Sequence, residues 1–414
     1  MQLNRKEKPS FERPKFFEFP KVIPISPRFF GYFSEIVPLL KIDLVYPSVI
    51  TNKKGVSKIL AKMLYEGTNK FSSAEIHETI AKYGAHLEIK SGIDRFTITL
   101  YTQKKYFKEL ITFLSELIFN STIPELELEK IKNIEIQNIQ VNNEKTSFIA
   151  SNKFKEAILG QSHPYSESIS ESDVANISRE DIKALYDNSL QQDLPEIFIC
   201  GNYTKKECEF IQMLFQKNKS LRDTPIFPSP ITTSTNKNNF PKEGALQSSI
   251  RIGNLSISRK HSDFIDMVIA NEVLGGYFGS RLMKNIREEK GLTYGISSQC
   301  ATFLQASYWV IGADVKKDLV PLAIDEINKE IETLYQNGVD NDEMEVVTNY
   351  MAGSFLSSIN TPFDIVDKFK LVHYHELSYD YYRDFYERLF TITSENIQEM
   401  TSTYFKNNIE VIAG

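Results

Sequence analysis

The apolar and polar residues of the chain follow two different periods. Phe96, Ile98 and Leu100 alternate with more polar neighbours, which is the period-two pattern of a half-buried strand. In the second half, an apolar stripe at helical spacing predicts one long amphipathic helix. That stripe consists of Val320, Ile324, Ile327, Ile331 and Leu334. The pair Asn337-Gly338 behind it predicts where this helix ends.

Predicted strands open and close both halves of the chain. Residues 40–46 and 248–252 predict the first strand of each half, and residues 195–200 and 409–412 predict the last. Helical patterns occupy most of the sequence between them. We therefore expect a sheet covered by helices, formed twice, which is an α+β fold with two homologous domains.

Short stretches of the first half recur about half a chain later. Residues 177–182 reappear as residues 392–397, and each copy predicts a helix with a Ser or Thr N-cap and a carboxylate in its first turn. A second stretch, beginning at Ile123, matches the stretch that begins at Val339. The agreement in order and spacing favours a duplicated domain.

The composition of the connecting segments divides the chain into four parts. Residues 9–31 are rich in Pro and Phe, and residues 1–35 are predicted to form an extended arm whose aromatic residues pack on a surface of this chain or of a partner. Residues 36–222 and 247–414 are the two predicted domains. Residues 223–246 are the predicted linker, because residues 231–239 are polar and flexible in composition.

Charge and cysteine usage exclude several classes of protein. The net charge of −6 is opposite to the basic surface that nucleic-acid binding requires. Cys200, Cys208 and Cys300 show no C-x-x-C spacing, and so sparse a set is typical of a reducing compartment. The sequence contains no apolar run suited to a signal peptide or a membrane span. We therefore expect a cytoplasmic protein.

Residues 55–68 read G-V-S-K-I-L-A-K-M-L-Y-E-G-T. This stretch resembles the zinc-binding helix of the insulinase/pitrilysin-type peptidases, whose inverted motif H-x-x-E-H lies in the frame G-x-x-H-x-x-E-H-M-L-x-x-G-T. The matching flanks are Gly55, Met63, Leu64, Gly67 and Thr68. Lys58, Ala61 and Lys62 stand where the family has its first His, its catalytic Glu and its second His.

These substitutions remove the chemistry of a zinc site. Zinc needs lone pairs, whereas a lysine ammonium offers only hydrogen-bond donors, and Ala61 has no group that could deprotonate a water. The resemblance places the third ligand of the family, a glutamate, at Asn138, when residues 137–139 are matched to its Q-E-I. An ordinary amphipathic helix with solvated lysines would show a similar pattern.

A second pair of motifs lies in the C-terminal half. Residues 274–282 and 286–295 resemble the text L-G-G-x-x-x-S-R-L and R-E-x-x-G-L-x-Y of the same family. There an Arg and a Tyr seven residues apart bind the substrate backbone beside the zinc, and the resemblance assigns these roles to Arg287 and Tyr294. The alternative is an Arg paired with Glu288 or Glu289 and a Tyr packed in a strand.

The resemblance implies one half of a clamshell and a non-catalytic, substrate-binding subunit of a heterodimeric zinc metallopeptidase that acts on peptides. The catalytic, zinc-bearing homologous subunit would supply the metal, and this chain would hold no cofactor of its own. The alternative is a proteolytically inactive clamshell that binds peptides or builds a complex. Lys58 and Lys62, if free, would favour acidic peptides, but a nearby carboxylate such as Glu135 would neutralise them.

The purified chain should contain no stoichiometric zinc and should cleave no peptide on its own. The reason is the loss of lone pairs at Lys58, Ala61, Lys62 and Asn138. Metal analysis by mass spectrometry checks this. One zinc per chain, lost on substitution of residues around Lys58, would contradict it.

Overall fold

The computed structural model describes residues 18–49, 51–216, 219–222, 225–227, 230 and 237–414. Within these residues the strands form two mixed sheets, each covered by helices. The α+β class predicted from the sequence is therefore confirmed. In the described part of the chain, no helix is long and apolar enough to cross a membrane.

The first sheet has the strand order β1-β2-β6-β3-β5-β4. Its strands are β1 Ile23–Ser26, β2 Phe29–Phe33, β3 Leu39–Pro47, β4 His86–Ser91, β5 Arg95–Gln103 and β6 Glu196–Gly201. The helices of this half are α1 Val56–Met63, α2 Ser73–Lys82, α3 Phe107–Phe119, α4 Glu125–Asn143, α5 Thr146–Leu159, α6 Glu171–Ala175, α7 Arg179–Asn188 and α8 Lys205–Phe215. The neighbours of β3 are both antiparallel to it, whereas β2 runs parallel to β6.

The second sheet has the order β7-β11-β8-β10-β9. Its strands are β7 Lys237–Phe240, β8 Gln247–Leu255, β9 Thr293–Thr302, β10 Ser307–Lys316 and β11 Ile409–Ala413. Its helices are α9 Phe264–Asn271, α10 Val320–Asn337, α11 Asn341–Ser357, α12 Pro362–Tyr374, α13 Tyr381–Arg388 and α14 Ser394–Tyr404. Two π-helical turns, Glu272–Gly276 and Met283–Glu289, join α9 to β9.

The N-caps expected from the internal repeat are present. The Ser178 hydroxyl accepts a hydrogen bond from the amide of Asp181 at the start of α7, and the Thr393 hydroxyl accepts one from Asn396 at the start of α14. Glu395 provides the carboxylate in the first turn of α14. Each cap satisfies an amide that the helix leaves without an internal partner.

The predicted arm and the predicted linker both contain strands that the composition did not indicate. β1 and β2 lie within residues 1–35 and belong to the first sheet, so this part of the predicted arm is a sheet component. Phe19 does pack against the second half, with its ring centroid 4.9 Å from that of Tyr382. Residues 1–17 of the arm and residues 231–236 of the linker lie outside the described residues, and β7 occupies the rest of the stretch 231–240.

Each half covers the sheet of the other half with one helix. α12 packs on β2 and β6 of the first sheet, and α5 packs on β8 and β11 of the second. The side chains of β3 point alternately to the two faces of its sheet and so enter both cores. Ile42 and Leu44 lie in the first core, whereas Val45 lies in the second. The two cores are therefore coupled through these exchanged helices.

A cluster of buried charges joins α12 to the first sheet. The Lys41 ammonium lies 2.6 Å from Asp367, and the Lys370 ammonium lies 2.7 Å from Asp43. Thr99 donates a hydrogen bond of 2.6 Å to the second oxygen of Asp43. Burial alone would lower the pKa of Lys41, but Asp43 and Asp367 reverse this and raise that pKa above its usual value.

Asp43→Asn should destabilise the fold. It removes a buried charge and leaves the ammonium groups of Lys41 and Lys370 to share Asp367, so we expect a loss of about 3 kcal/mol in the free energy of unfolding. Urea denaturation followed by circular dichroism measures this loss. Glu209→Gln is the control, because Glu209 forms an exposed pair with Lys205 and should cost less than about 0.5 kcal/mol. Equal midpoints for the wild type and Asp43→Asn would contradict the assigned role.

Candidate functional site

Helix α1 carries the degenerate zinc motif and begins directly after Gly55. Gly55 has φ 84°, a left-handed conformation that favours glycine, and a Cβ there would lie 3.2 Å from Ile169. Val56 and Ile59 bury the inner face of α1 in the first core. The opposite face turns Lys58 toward α4, against which α1 packs.

Lys58 and Lys62 share one buried carboxylate. The side chain of Glu135 on α4 is only 2 % exposed, and its Oε2 lies 2.6 Å from the Lys58 ammonium, while Oε1 pairs with Lys62. Burial alone would raise the pKa of Glu135, but the hydrogen bonds and charges of the two lysines outweigh burial and lower that pKa. We call Lys58, Glu135 and Lys62 the α1–α4 triad. Pairing with Glu135, one of the two alternatives drawn from the sequence, is the arrangement observed, and this carboxylate offsets one of the two positive charges.

The carboxylate facing the two lysines comes from Glu135 and not from position 138. Asn138 lies one turn further along α4 and contacts the triad only through its amide, 3.4 Å from Oε1 of Glu135. Residues three apart share a helix face, so both positions turn toward α1. The sequence match to Asn138 therefore lies on the face of α4 that turns toward α1, and Glu135, which the sequence analysis named as a neighbouring carboxylate, pairs with the lysines.

The side chains of the α1–α4 triad are not suited to bind zinc. Two ammonium groups occupy the space around the carboxylate, and neither has a lone pair to give. Ala61 is buried in the core and brings no acid or base to the surface. Glu135 is thus the one metal-binding type of side chain in the triad, and both of its oxygens are held by lysines.

Solvent reaches the triad through two open cavities. One, of about 280 Å³, is lined by Lys58 together with Ser57 and Glu167. The other, of about 300 Å³, is lined by Lys62 and Tyr65. α1 also packs on β4, the outermost strand of the first sheet. The triad therefore lies beside a sheet edge and within reach of a bound molecule.

The structure brings Arg287 and Tyr294 together. Arg287 lies in the second π-helical turn, and Tyr294 is the second residue of β9. The Arg287 guanidinium carbon lies 5.8 Å from the ring centroid of Tyr294 and 4.7 Å from that of Phe278. Tyr294 is 94 % exposed, so it is not packed in its strand. In the described part of the chain Arg287 makes no ion pair with Glu288 or Glu289, which removes the alternative reading of this motif.

Phe278 completes an exposed cluster that the sequence did not reveal. Its side chain is 66 % exposed and it stacks with the Arg287 cation. Position 278 falls on an unspecified residue of the motif L-G-G-x-x-x-S-R-L, so the resemblance gave no signal there. The aromatic pair Tyr277-Phe278 between Gly276 and Gly279 was the signal available. We call Phe278, Arg287 and Tyr294 the Arg–Tyr cluster.

Other residues of the same motifs hold the Arg–Tyr cluster in place. Arg281 binds both carboxylate oxygens of Glu343 on α11, at 2.7 and 2.9 Å, and also the carbonyl of Gly338. The side-chain amide of Asn285 donates to Glu330 at 2.6 Å. Bidentate pairing of this kind fixes the orientation of the π-helical turn, which then presents Arg287 outward.

The α1–α4 triad and the Arg–Tyr cluster belong to different sheets. The triad stands beside β4 of the first sheet, whereas the cluster stands at the start of β9 in the second. α1 packs mainly on α4, α7 and β4, and the turn that carries Arg287 packs on β9 and α10. Each site is therefore a separate surface of the chain.

Comparisons with known proteins agree with these features. Residues 50–173 match the profile of the insulinase family, peptidase family M16, and residues 176–351 match the profile described as the peptidase M16 inactive domain. A Bacillus subtilis protein named uncharacterized zinc protease YmxG is 23 % identical over 308 residues, covering 74 % of this chain and 75 % of its own length. A Helicobacter pylori protein named non-peptidase homolog YmxG is 21 % identical over 311 residues, covering 73 % and 71 %.

Solved structures share the fold over nearly the whole chain. A peptidase M16 inactive domain from Pseudomonas fluorescens superposes with a TM-score of 0.84 at 19 % identity, covering 95 % of this chain and 98 % of that one. A protease from Helicobacter pylori gives a TM-score of 0.81 at 14 % identity, covering 96 % and 100 %. At these identities the likeness establishes the fold.

Glu135→Gln should lower stability at neutral pH but not in acid. The pKa of Glu135 is lowered on folding, so its contribution is complete above the unfolded value of 4.5 and disappears as the pH falls through the lower folded value. We expect a loss of about 1 kcal/mol at pH 7, since the lysines are partly exposed. Urea denaturation at pH 7 and below pH 4 tests this. The matched control is Glu129→Gln on the same helix, and a loss independent of pH would contradict the charge assignment.

Proposed function

The chain belongs to the insulinase family, peptidase family M16, and we propose that it is the non-catalytic, substrate-binding subunit of a heterodimeric zinc metallopeptidase acting on peptides. A homologous partner would carry the zinc, and this chain would present Arg287 and Tyr294 to the bound peptide. The two chains would thus divide the work of one enzyme. We also propose that this chain is cytoplasmic.

The exposure of the Arg–Tyr cluster is the observation that carries the proposal. The ring of Tyr294 is 94 % exposed, and the adjacent Arg287 guanidinium has no carboxylate partner among the described residues, so the two add little to the stability of this chain. Exposed aromatic and arginine side chains are the groups enriched at binding surfaces. The same chain has ammonium groups at the positions where its family holds a metal. These features suit a chain that supplies an Arg and a Tyr to a peptidase site whose zinc is bound by a partner.

The outermost strand β9 provides the surface for a peptide. β9 ends the second sheet, and among the described strands only β10 pairs with it. Its outer edge therefore offers backbone donors and acceptors to an extended peptide. Such a peptide would pass Tyr294, and one of its carbonyls would come within reach of the phenol.

Two donors of this chain suit the chemistry of peptide hydrolysis. The Tyr294 hydroxyl and the Arg287 guanidinium can both donate hydrogen bonds to the carbonyl oxygen of the scissile peptide. This oxygen gains negative charge in the transition state, so donors aimed at it stabilise the transition state more than the substrate. The zinc of the partner would supply the activated water and the second polarising group.

The thiols support a reducing, cytoplasmic location. Cys200, Cys208 and Cys300 are all free, and the first two are buried. Burial raises the pKa of Cys208 to about 11, and that of Cys200 to about 12, so neither is a reactive thiolate at neutral pH.

A proteolytically inactive clamshell is the second candidate. The α1–α4 triad favours it in one respect, because Glu135 is fully paired and nothing in the triad requires a metal. The Helicobacter pylori relative carries the name non-peptidase homolog. The two candidates differ in whether the Arg–Tyr cluster affects turnover, and the following variants decide between them.

Tyr294→Phe and Arg287→Ala should each lower kcat of the reconstituted enzyme about 100-fold to 1000-fold. The loss is expected in the transition state, so assembly and zinc binding by the partner should be unchanged. Peptide hydrolysis by the chain mixed with its zinc-bearing homologue measures the effect, with size-exclusion chromatography to check assembly.

The control for these variants is Tyr335→Phe, which alters a partly exposed tyrosine of the same half, away from the Arg–Tyr cluster. Tyr335→Phe should retain the normal rate. An assembled Tyr294→Phe or Arg287→Ala complex that cleaves at the normal rate would refute the proposed role and leave the inactive clamshell as the better account.

A further inference from the structure

A polar cavity lies on the second sheet beside the strand that carries Tyr294. It measures about 430 Å³ and opens between α5 and the strands β9 and β10. Residues of both strands and of α5 line it, including Lys155, Gly295, Ser297, Gln299 and Tyr308. We call it the α5 cavity. Its volume lies in the range of pockets that hold ligands.

The charged side chains of the α5 cavity are mainly positive. Arg251 directs its guanidinium to neutral acceptors, namely the Ser151 hydroxyl at 3.1 Å and the carbonyls of Ser147 and Ile250. Asp314 accepts a hydrogen bond of 2.6 Å from Ser249, and its charge partly offsets that of Arg251. Lys155 is a second cation in the wall, and the neighbouring Glu156 offsets its burial only in part.

Lys155 is a cation held in the wall without a partner. In the part of the chain that the structure describes, its ammonium makes no hydrogen bond and no ion pair. Burial lowers the pKa of Lys155, and the neighbouring Glu156 offsets this only in part. A half-buried, unpaired cation is unfavourable, and an anion placed beside it removes the penalty.

Neutral donors surround the same space. Among the described residues, the side chains of Ser297, Gln299 and Tyr308 make no hydrogen bond. Burial raises the pKa of Tyr308, so its phenol keeps its proton and can donate. A cation together with several free donors is the chemistry that receives a carboxylate.

The mouth of the α5 cavity adjoins the Arg–Tyr cluster. Gly295 lines the cavity and directly follows Tyr294 in β9. Residues 295, 297 and 299 share one face of the strand, as the period of two requires. A Cβ on Gly295 would meet nothing within 4 Å, so open space lies in front of this residue. A peptide extended past Tyr294 would therefore bring a neighbouring side chain to the opening.

We propose that the α5 cavity is a side-chain subsite that receives an acidic residue of the peptide held at Tyr294, with Lys155 as the residue that determines this specificity. The inference rests on the proposed function, because it takes a peptide as the occupant. It also places the preference for acidic peptides at Lys155 rather than at Lys58 and Lys62, which share the carboxylate of Glu135.

Binding of matched peptides to the full chain without its partner tests the subsite. Three fluorescent peptides differ at one position only, which holds Glu, Gln or Lys, and fluorescence anisotropy gives Kd for each. We expect the Glu peptide to bind about tenfold more tightly than the Gln peptide, because a charge-assisted hydrogen bond replaces a neutral one. The Lys peptide should bind most weakly.

Variants of the cavity separate charge from shape. Lys155→Ala should abolish the preference for Glu over Gln, and Lys155→Glu should reverse it in favour of the Lys peptide. Gly295→Leu should weaken all three peptides, since its side chain fills the open space. Lys153→Ala is the control on the same helix, because Lys153 is paired with Glu156 at 2.7 Å, and it should keep the preference.

Equal affinity for the Glu and Gln peptides, or no measurable binding of any peptide, overturns the proposal. A preference that survives in Lys155→Ala also overturns it. The Kd of N-acetylglutamate amide would be measured in the same assay. If it bound as tightly as the Glu peptide, the cavity would be a small-molecule site and the peptide-subsite proposal would be wrong. The binding assay does not depend on catalysis. A preference for the Glu peptide would therefore support the subsite even if Tyr294→Phe left turnover unchanged. Conversely, a loss of turnover in Tyr294→Phe would support the proposed function even if the peptides showed no such preference.

Discussion

The pairing of the buried Glu135 carboxylate with two lysines is the interaction on which the character of this chain depends. A carboxylate buried beside an apolar core requires compensating positive charge or hydrogen bonds. Lys58 and Lys62 provide both from one face of α1, so α1 and α4 pack together without a metal. The lysines therefore supply, at the positions that align with the zinc motif, the positive charge that this buried carboxylate needs.

Charge also organises the rest of the molecule, through the helices that the two halves exchange. Asp367 and Lys370 of α12 form ion pairs with Lys41 and Asp43 on the polar face of β3. Ser151 of α5 accepts a hydrogen bond from Arg251 on the second sheet. In both sheets the polar face is thus the one that a helix from the other half covers. This coupling holds β4 and β9, an edge strand of each sheet, in one framework, and the candidate sites lie beside these strands.

The local features of the fold could be predicted from the sequence, whereas contacts between distant segments could not. The caps at Ser178 and Thr393 follow from residue chemistry within one turn. The proximity of Arg287 and Tyr294 followed from a family pattern, and Phe278 was missed because that pattern leaves its position open. Asn138 was matched to the Q-E-I of the family, whereas the pairing of Glu135 with both lysines depends on how α4 packs on α1. Likewise β1 and β2 depend on pairing with β6, which lies far away in the sequence.

A structure of the chain in complex with its zinc-bearing homologue and a bound peptide is the sharpest test of the proposed division of work. The two proteins would be co-purified, with the general base of the homologue removed so that the peptide stays intact. We expect the Tyr294 hydroxyl and the Arg287 guanidinium to lie within about 3 Å of the peptide carbonyl at the zinc of the partner. A complex in which the Arg–Tyr cluster points away from that zinc, or a chain that pairs only with itself, would show that this chain does not supply these donors.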